Sequence, residues 1–165
     1  MTTEISIQVS YPPTATARPR SFVRGGKICV YDKQHKQRDN FTMLLIAAVK
    51  KKYGCFPKLE GPVELNLIFH VPRGKTHYGT GKNSDKVKDS APAYPTVSDI
   101  DNYSKFVMDC LNKRAFADDR QVVRLIAEKR FSKDPMIEIE VNRVIINGFF
   151  GGTYAEVNCQ VKDLK

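Results

Sequence analysis

No apolar run in this chain approaches the length needed to cross a membrane. The N-terminus, Met1-Thr2-Thr3-Glu4, opens straight into alternating residues and lacks the apolar core of a signal peptide. Together these absences set the expectation of a cytoplasmic protein with no membrane partner. The four cysteines, Cys29, Cys55, Cys110 and Cys159, lie far apart and include no C-x-x-C pair. Neither a zinc site nor a disulfide framework is therefore expected, and reduced thiols are. His35, His70 and His77 show no metal-ligand spacing. A complete P-loop is missing as well. Gly74-Lys75-Thr76 follows a strand pattern, but Phe69 stands where the first glycine belongs and no helix follows; Gly81-Lys82-Asn83 lacks the Ser or Thr. No nucleotide cofactor is expected. No internal repeat is present.

The 165 residues suffice for one domain with a real core. Lysine and arginine number 27 against 18 aspartates and glutamates, a net charge of +9, which favours polyanionic partners and is silent about fold.

Alternation and helical spacing supply the elements. Glu4 to Val9 reads as a strand stopped by Tyr11-Pro12-Pro13, and Phe22 to Tyr31 as a hairpin turning at Gly25-Gly26. Phe41, Leu44, Leu45, Ala48 and Val49 form one helix face, and that helix ends in Lys50-Lys51-Lys52, where cations suit the negative end of the dipole. Val63, Leu65, Leu67, Phe69 and Val71 alternate as a half-buried strand ended by Pro72, with His70 on its outer face. Residues 73–97 carry no periodicity and read as a long basic loop, either gripping a DNA arm or disordered. Tyr103, Phe106, Val107, Cys110 and Leu111 mark a second amphipathic helix. Two strands follow, through Val123, Leu125 and Ala127 and through Ile137, Ile139 and Val141, with Lys133-Asp134-Pro135 as their turn. Arg124, Glu128 and Arg130 are expected to pair across them with Glu138 and Glu140. The tail, 144–165, gives no assignment.

Against the basic background, carboxylates gather at one place. Asp99 and Asp101 are two apart, so they share a side if Asp99 is extended and Asp101 opens the helix. Asp101, Lys105 and Asn112 then share the face opposite the apolar stripe. Asp118 and Asp119 follow the helix, and a strand beside it would return one of them to Asp99 and Asp101. Three converging oxygen ligands suit Mg²⁺, with Mn²⁺ able to substitute. A bland reading explains the same residues: Asp99 or Ser98 as an N-cap, Asp101 with Lys105 as an i, i+4 pair, and Asp118-Asp119 as an acidic turn.

The stretch Asp99-Ile100-Asp101-Asn102-Tyr103-Ser104-Lys105, then Asp109-Cys110-Leu111, then Phe116-Ala117-Asp118-Asp119-Arg120-Gln121-Val122-Val123, closely resembles the RusA-type Holliday junction resolvases. Tyr11-Pro12-Pro13, Arg18-Pro19-Arg20 and the basic segment before the first helix match more weakly. The resemblance implies an α+β fold, a small mixed β-sheet packed against two main helices in a single domain over 1–165, and a homodimer. It implies a Mg²⁺-dependent endonuclease that cuts four-way DNA junctions symmetrically in recombination and repair. Asp99, Asp101 and Asp119 would be the metal-binding aspartates and Lys105 the catalytic lysine, with Asp118 as a further candidate ligand. Arg18, Arg20, Lys27, Lys33, Lys36, Arg73 and Lys75 are candidates for contacting DNA phosphates. Such proteins are common in phages and prophages. The chain departs from the pattern in the intervening 73–97 loop and in its length beyond Arg143. A non-catalytic DNA-binding protein of the same fold and a nuclease for flaps or other branched DNA are the competing expectations.

Overall fold

The structure, a computed structural model, describes residues 2–17 and 20–145. In chain order its elements are β1 (Thr2–Val9), β2 (Arg20–Arg24), β3 (Lys27–Tyr31), α1 (His35–Tyr53), β4 (Val63–Pro72), α2 (Ile100–Leu111), β5 (Val122–Ser132) and β6 (Met136–Arg143). Four strands form one sheet in the order β1-β6-β4-β5, and β2 and β3 form a two-stranded sheet of their own. Only β4 and β5 run parallel; β1 with β6 and β6 with β4 are antiparallel. The fold is thus α+β with a mixed sheet and two helices, as expected.

The connection between β5 and β6 differs from the expected hairpin: β4 lies between them. A parallel pair cannot be joined by a tight turn and needs a long crossover. Here the 73–97 segment and α2 supply that crossover from β4 to β5. Burial explains the rest of the order. Ile137, Ile139 and Val141 on β6 are wholly buried, as an inner strand requires, whereas Val123, Leu125 and Ile126 on β5 are exposed, as on an edge. Of the expected charge pairs, Arg130 does reach Glu138, at 3.3 Å across β4, with His70 Nε2 also 2.6 Å from that carboxylate. Arg124 instead donates to Glu64 of β4 at 2.7 Å. Glu64 is buried, and Arg124, aided by Asn142 at 3.2 Å, holds its carboxyl below the usual range.

The core lies where α1 and α2 cover the sheet. Phe41, Leu45 and Val49 of α1 and Phe106, Val107 and Leu111 of α2 meet Ile5, Leu65, Leu67, Phe69 and the β6 residues, all buried. Fully burying each such side chain contributes about 1.5–3 kcal/mol. The rings of Phe41 and Phe106 lie 5.5 Å apart, and Tyr11 sits 5.3 Å from Phe41. The α1 helix begins six residues before its apolar stripe, at His35. Its N-cap residue, Gln34, spends its side chain elsewhere, accepting from Ala17 N at 2.6 Å and donating to Ala15 O at 2.8 Å. At the other end Lys50, Lys51 and Lys52 occupy the last turn, and Gly54 at φ +78° closes the helix with its N–H on Lys50 O.

The 73–97 segment is bonded to itself. It contains short 3₁₀ turns at Lys75–His77 and Gly81–Asn83, a bridge between Tyr78 and Val87, and a Lys88 N to His77 O bond of 2.9 Å. Cys29 and Cys110 are free thiols. No helix among the described residues is long and apolar enough to cross a membrane. Of the expected C-terminal extension, everything beyond Ile145 lies outside the described residues.

Candidate active site

The lead-in to α2 is fixed before any carboxylate appears. Ser98 takes a positive φ of 56°, a conformation that favours glycine, and its carbonyl accepts Lys129 Nζ from β5 at 2.7 Å. Asp99 follows in an extended conformation at the N-cap position, yet its side chain makes no cap hydrogen bond. Asp101, Lys105 and Asp109 then recur at every fourth residue, so they line one exposed face of α2. Tyr103, Phe106, Val107, Cys110 and Leu111 are buried on the other. This is the expected division. Asn112, expected on the polar face, ends the helix instead as its C-cap, with ψ at 136°.

Asp109 belongs to this face, although the motif reading gave it no role. It accepts from Arg38 Nη1 at 3.4 Å, and the same guanidinium is paired with Asp32 at the foot of β3. Burial pushes the Asp109 carboxyl up, while Arg38 and Lys105 oppose the shift; the charges of Asp119 and Asp32 add to it. The Gln34 N–H and the Arg38 side chain hold Asp32 below its usual value. Asp109 was discoverable from its spacing, four residues after Lys105. Arg38 and Asp32 were not, because only the fold brings them there. Beside Asp109 a groove of about 490 Å³ is lined by Asn112, Lys113 and Arg114.

The second acidic segment forms a 3₁₀ turn at Asp119–Gln121. Asp118 caps it, accepting from Arg120 N at 3.0 Å, and both its carboxylate oxygens face the Arg120 guanidinium at 2.7 and 3.2 Å. That pairing holds its pKa down at about 2. Gln121 completes the capping box by accepting from Ala117 N at 2.7 Å and Asp118 N at 3.1 Å. Its amide also donates to Leu59 O at 3.2 Å and Gly61 O at 2.8 Å, which ties the turn to the segment before β4. Asp119 sits between these anchored neighbours.

Among the described residues, Asp99, Asp101, Asp119 and Lys105 take part in no ion pair. Their oxygens are the donor type a hard divalent cation selects. They do not close a cage: the described residues contain no group of three or more His, Cys, Asp or Glu placed to hold a metal. The turn carries Asp119 toward Asp109, which lies about 12 Å along the helix axis from Asp101. Of the candidate DNA contacts, Lys27, Lys33, Lys36 and Lys75 are exposed and Arg20 opens β2, while Arg18 lies outside the described residues. Arg73 is occupied, stacked 3.8 Å over the Phe131 ring and donating to Pro92 O at 2.9 Å.

The uncharacterized protein YqaN of Bacillus subtilis (strain 168) is 29% identical over 140 residues, spanning 85% of this chain and 96% of its own length. Residues 10–142 match the family model described as endodeoxyribonuclease RusA, a span that takes in both helices, the exposed Asp101-Lys105-Asp109 face and the Asp119 turn. The chain therefore belongs to the RusA endodeoxyribonuclease family.

Proposed function

We propose that this protein is a Mg²⁺-dependent endonuclease that resolves four-way DNA junctions by paired symmetric nicks, acting as a homodimer. One observation carries the reading. In a protein of net charge +9, three aspartates and a lysine around one helix and the adjoining turn take part in no ion pair among the described residues. Neither capping nor an i, i+4 pair, the bland explanations for Asp99 to Lys105, uses these side chains. On the family motif we assign the cation to Asp99, Asp101 and Asp119; because the turn leaves Asp119 toward Asp109, the three would have to close on the cation as it binds, and it would then polarise a phosphoryl oxygen and lower the pKa of bound water. Asp118, committed to Arg120, serves best as the cap that positions Asp119. The Lys105 ammonium, exposed between Asp101 and Asp109, is set to stabilise charge developing on the phosphate.

The homodimer draws support from β5, an open edge strand with Val123, Leu125 and Ile126 exposed. A two-fold pair would match the two-fold symmetry of an open junction and set one site on each of two opposed strands. A second reading, a DNA-binding protein of this fold without activity, is favoured by the lack of a closed three-carboxylate group among the described residues. Incubating the protein with Mg²⁺ and labelled four-way, flap and linear DNA separates the readings. Paired nicks confined to the four-way junction support resolution. Cleavage of flaps as well points to a broader branched-DNA nuclease, and no cleavage of any substrate favours the binding protein.

A further inference from the structure

Apart from Arg20 and Lys27 as candidate phosphate contacts, the β2–β3 ribbon takes no part in the chemistry of α2 and the acidic turn. Among the described residues its two strands pair only with each other, from Arg20 opposite Tyr31 to Arg24 opposite Lys27, around Gly25 and Gly26 at φ 58° and 75°. Two positive φ values in sequence mark the turn type that matches strand twist. An isolated two-stranded ribbon is marginal in water without something to cover it. Among the described residues nothing covers this one: Phe22 is 48% exposed and Tyr31 42%.

Directly opposed residues share a face, as do residues two apart along a strand. Phe22, Arg24, Lys27 and Tyr31 therefore stand on one side, where the two rings meet edge to face at 6.0 Å. Residues 20–31 include Arg20, Arg24 and Lys27 and no carboxylate. Rings flanked by cations complement a phosphate backbone with exposed bases, because every base offers a π-face to stack on.

Both legs of the ribbon are fastened to α2. On the entering side Thr16 N donates to Asn102 O at 2.9 Å, next to Asp101. On the leaving side Asp32 is tied through Arg38 to Asp109. Gln34 then joins the two legs through Ala15 and Ala17. DNA lying on the ribbon is thus held in register with the exposed face of α2.

We propose that the β2–β3 ribbon is a DNA arm whose Phe22 and Tyr31 rings stack on bases exposed at a branch point, while Arg24 and Lys27 hold the flanking phosphates. The proposal rests on the branched-DNA reading above. Its test is equilibrium binding in EDTA, over a range of salt, of a four-way junction and of a linear duplex with the same arm sequence. The Phe22→Leu/Tyr31→Leu pair keeps apolar bulk and removes the rings. It should weaken junction binding about tenfold and duplex binding less than threefold, with the salt slope unchanged. Phe22→Tyr should bind as wild type. Arg24→Ala/Lys27→Ala should weaken both substrates and lower the salt slope by about two. All four positions are exposed, and a thermal melt confirms that each variant is folded.

Junction binding at the wild-type level by the ring variant, or an equal loss on both substrates, overturns the proposal. A shift in self-association without DNA, at unchanged DNA affinity, overturns it in favour of a contact between copies. If wild type cuts junctions and these variants cut and bind equally well, the arm falls and the nuclease reading stands. A wild-type protein that neither binds nor cuts branched DNA removes the reading and the arm together.

Discussion

Gln121→Ala should uncouple the acidic turn from the body of the protein. The side chain makes four hydrogen bonds, two accepted from Ala117 N and Asp118 N and two donated to Leu59 O and Gly61 O. At about 0.5–1.5 kcal/mol net for each, their loss removes at most about 6 kcal/mol. Water can re-satisfy the groups nearest the surface, since Ala117 is exposed and Gly61 half-buried, so about 2–3 kcal/mol is expected. For a domain of this size that lowers Tm by about 4–12 °C. The functional effect should be separate: Asp119 loses its fixed place, so cleavage with Mg²⁺ slows while junction affinity in EDTA holds. Gln121→Glu keeps the acceptor oxygens but sets a carboxylate against two carbonyls, so it should lose stability at neutral pH and regain part of it on acidification. Calorimetry with single-turnover cleavage measures both effects. A Tm within about 2 °C of wild type for Gln121→Ala, no more than the shift that about 1 kcal/mol produces, would refute the clamp.

Four further outcomes follow from the same structure. Asp101→Asn should still bind junction DNA and stop cutting it, and Lys105→Ala should lower turnover more than affinity; normal cleavage by Asp101→Asn with Mg²⁺ would remove the metal-site assignment. Glu64 has its pKa lowered on folding, chiefly by Arg124, so it contributes stability above the unfolded value of about 4.3, and this is lost as pH falls through the folded value. A Tm scan from neutral pH to about pH 3 should therefore show a smaller decline for Glu64→Gln than for wild type, and parallel curves would count against the shift. Phe106→Ala should cost about 3–5 kcal/mol in denaturant unfolding, because a wholly buried ring facing Phe41 leaves a cavity the helix cannot close.

Periodicity disclosed the elements better than their neighbours. The alternation through Val63 to Val71 and the stripe from Tyr103 to Leu111 each state which face is buried, and the structure agrees. Alternation does not say which strand lies alongside, so Ile137 and Val123 looked like partners in a hairpin when β4 divides them. The first turn and a half of α1 was hidden because His35 to Asn40 are all polar and present no stripe. At the site, Asp99, Asp101 and Lys105 were legible because their relation is local to one helix start. The commitment of Asp118 to Arg120 needed side-chain geometry. Asp32 and Arg38 reach Asp109 over more than 70 residues of sequence, a relation that only the packing of α1 against α2 creates.

The position of β6 governs when this molecule can come into being on the ribosome. Among the described residues β1 has no partner in the sheet except β6, the last described element, and Ile7 waits for Ile139. β4 likewise gains both of its neighbours only after α2 has been synthesised. Such distant pairings slow folding and leave β1 and β4 exposed while the chain grows. The candidate catalytic face is thus translated before the strand that completes the sheet beneath it. A nascent chain stopped before Met136 would carry every candidate catalytic residue and still lack the strand that joins β1 to β4.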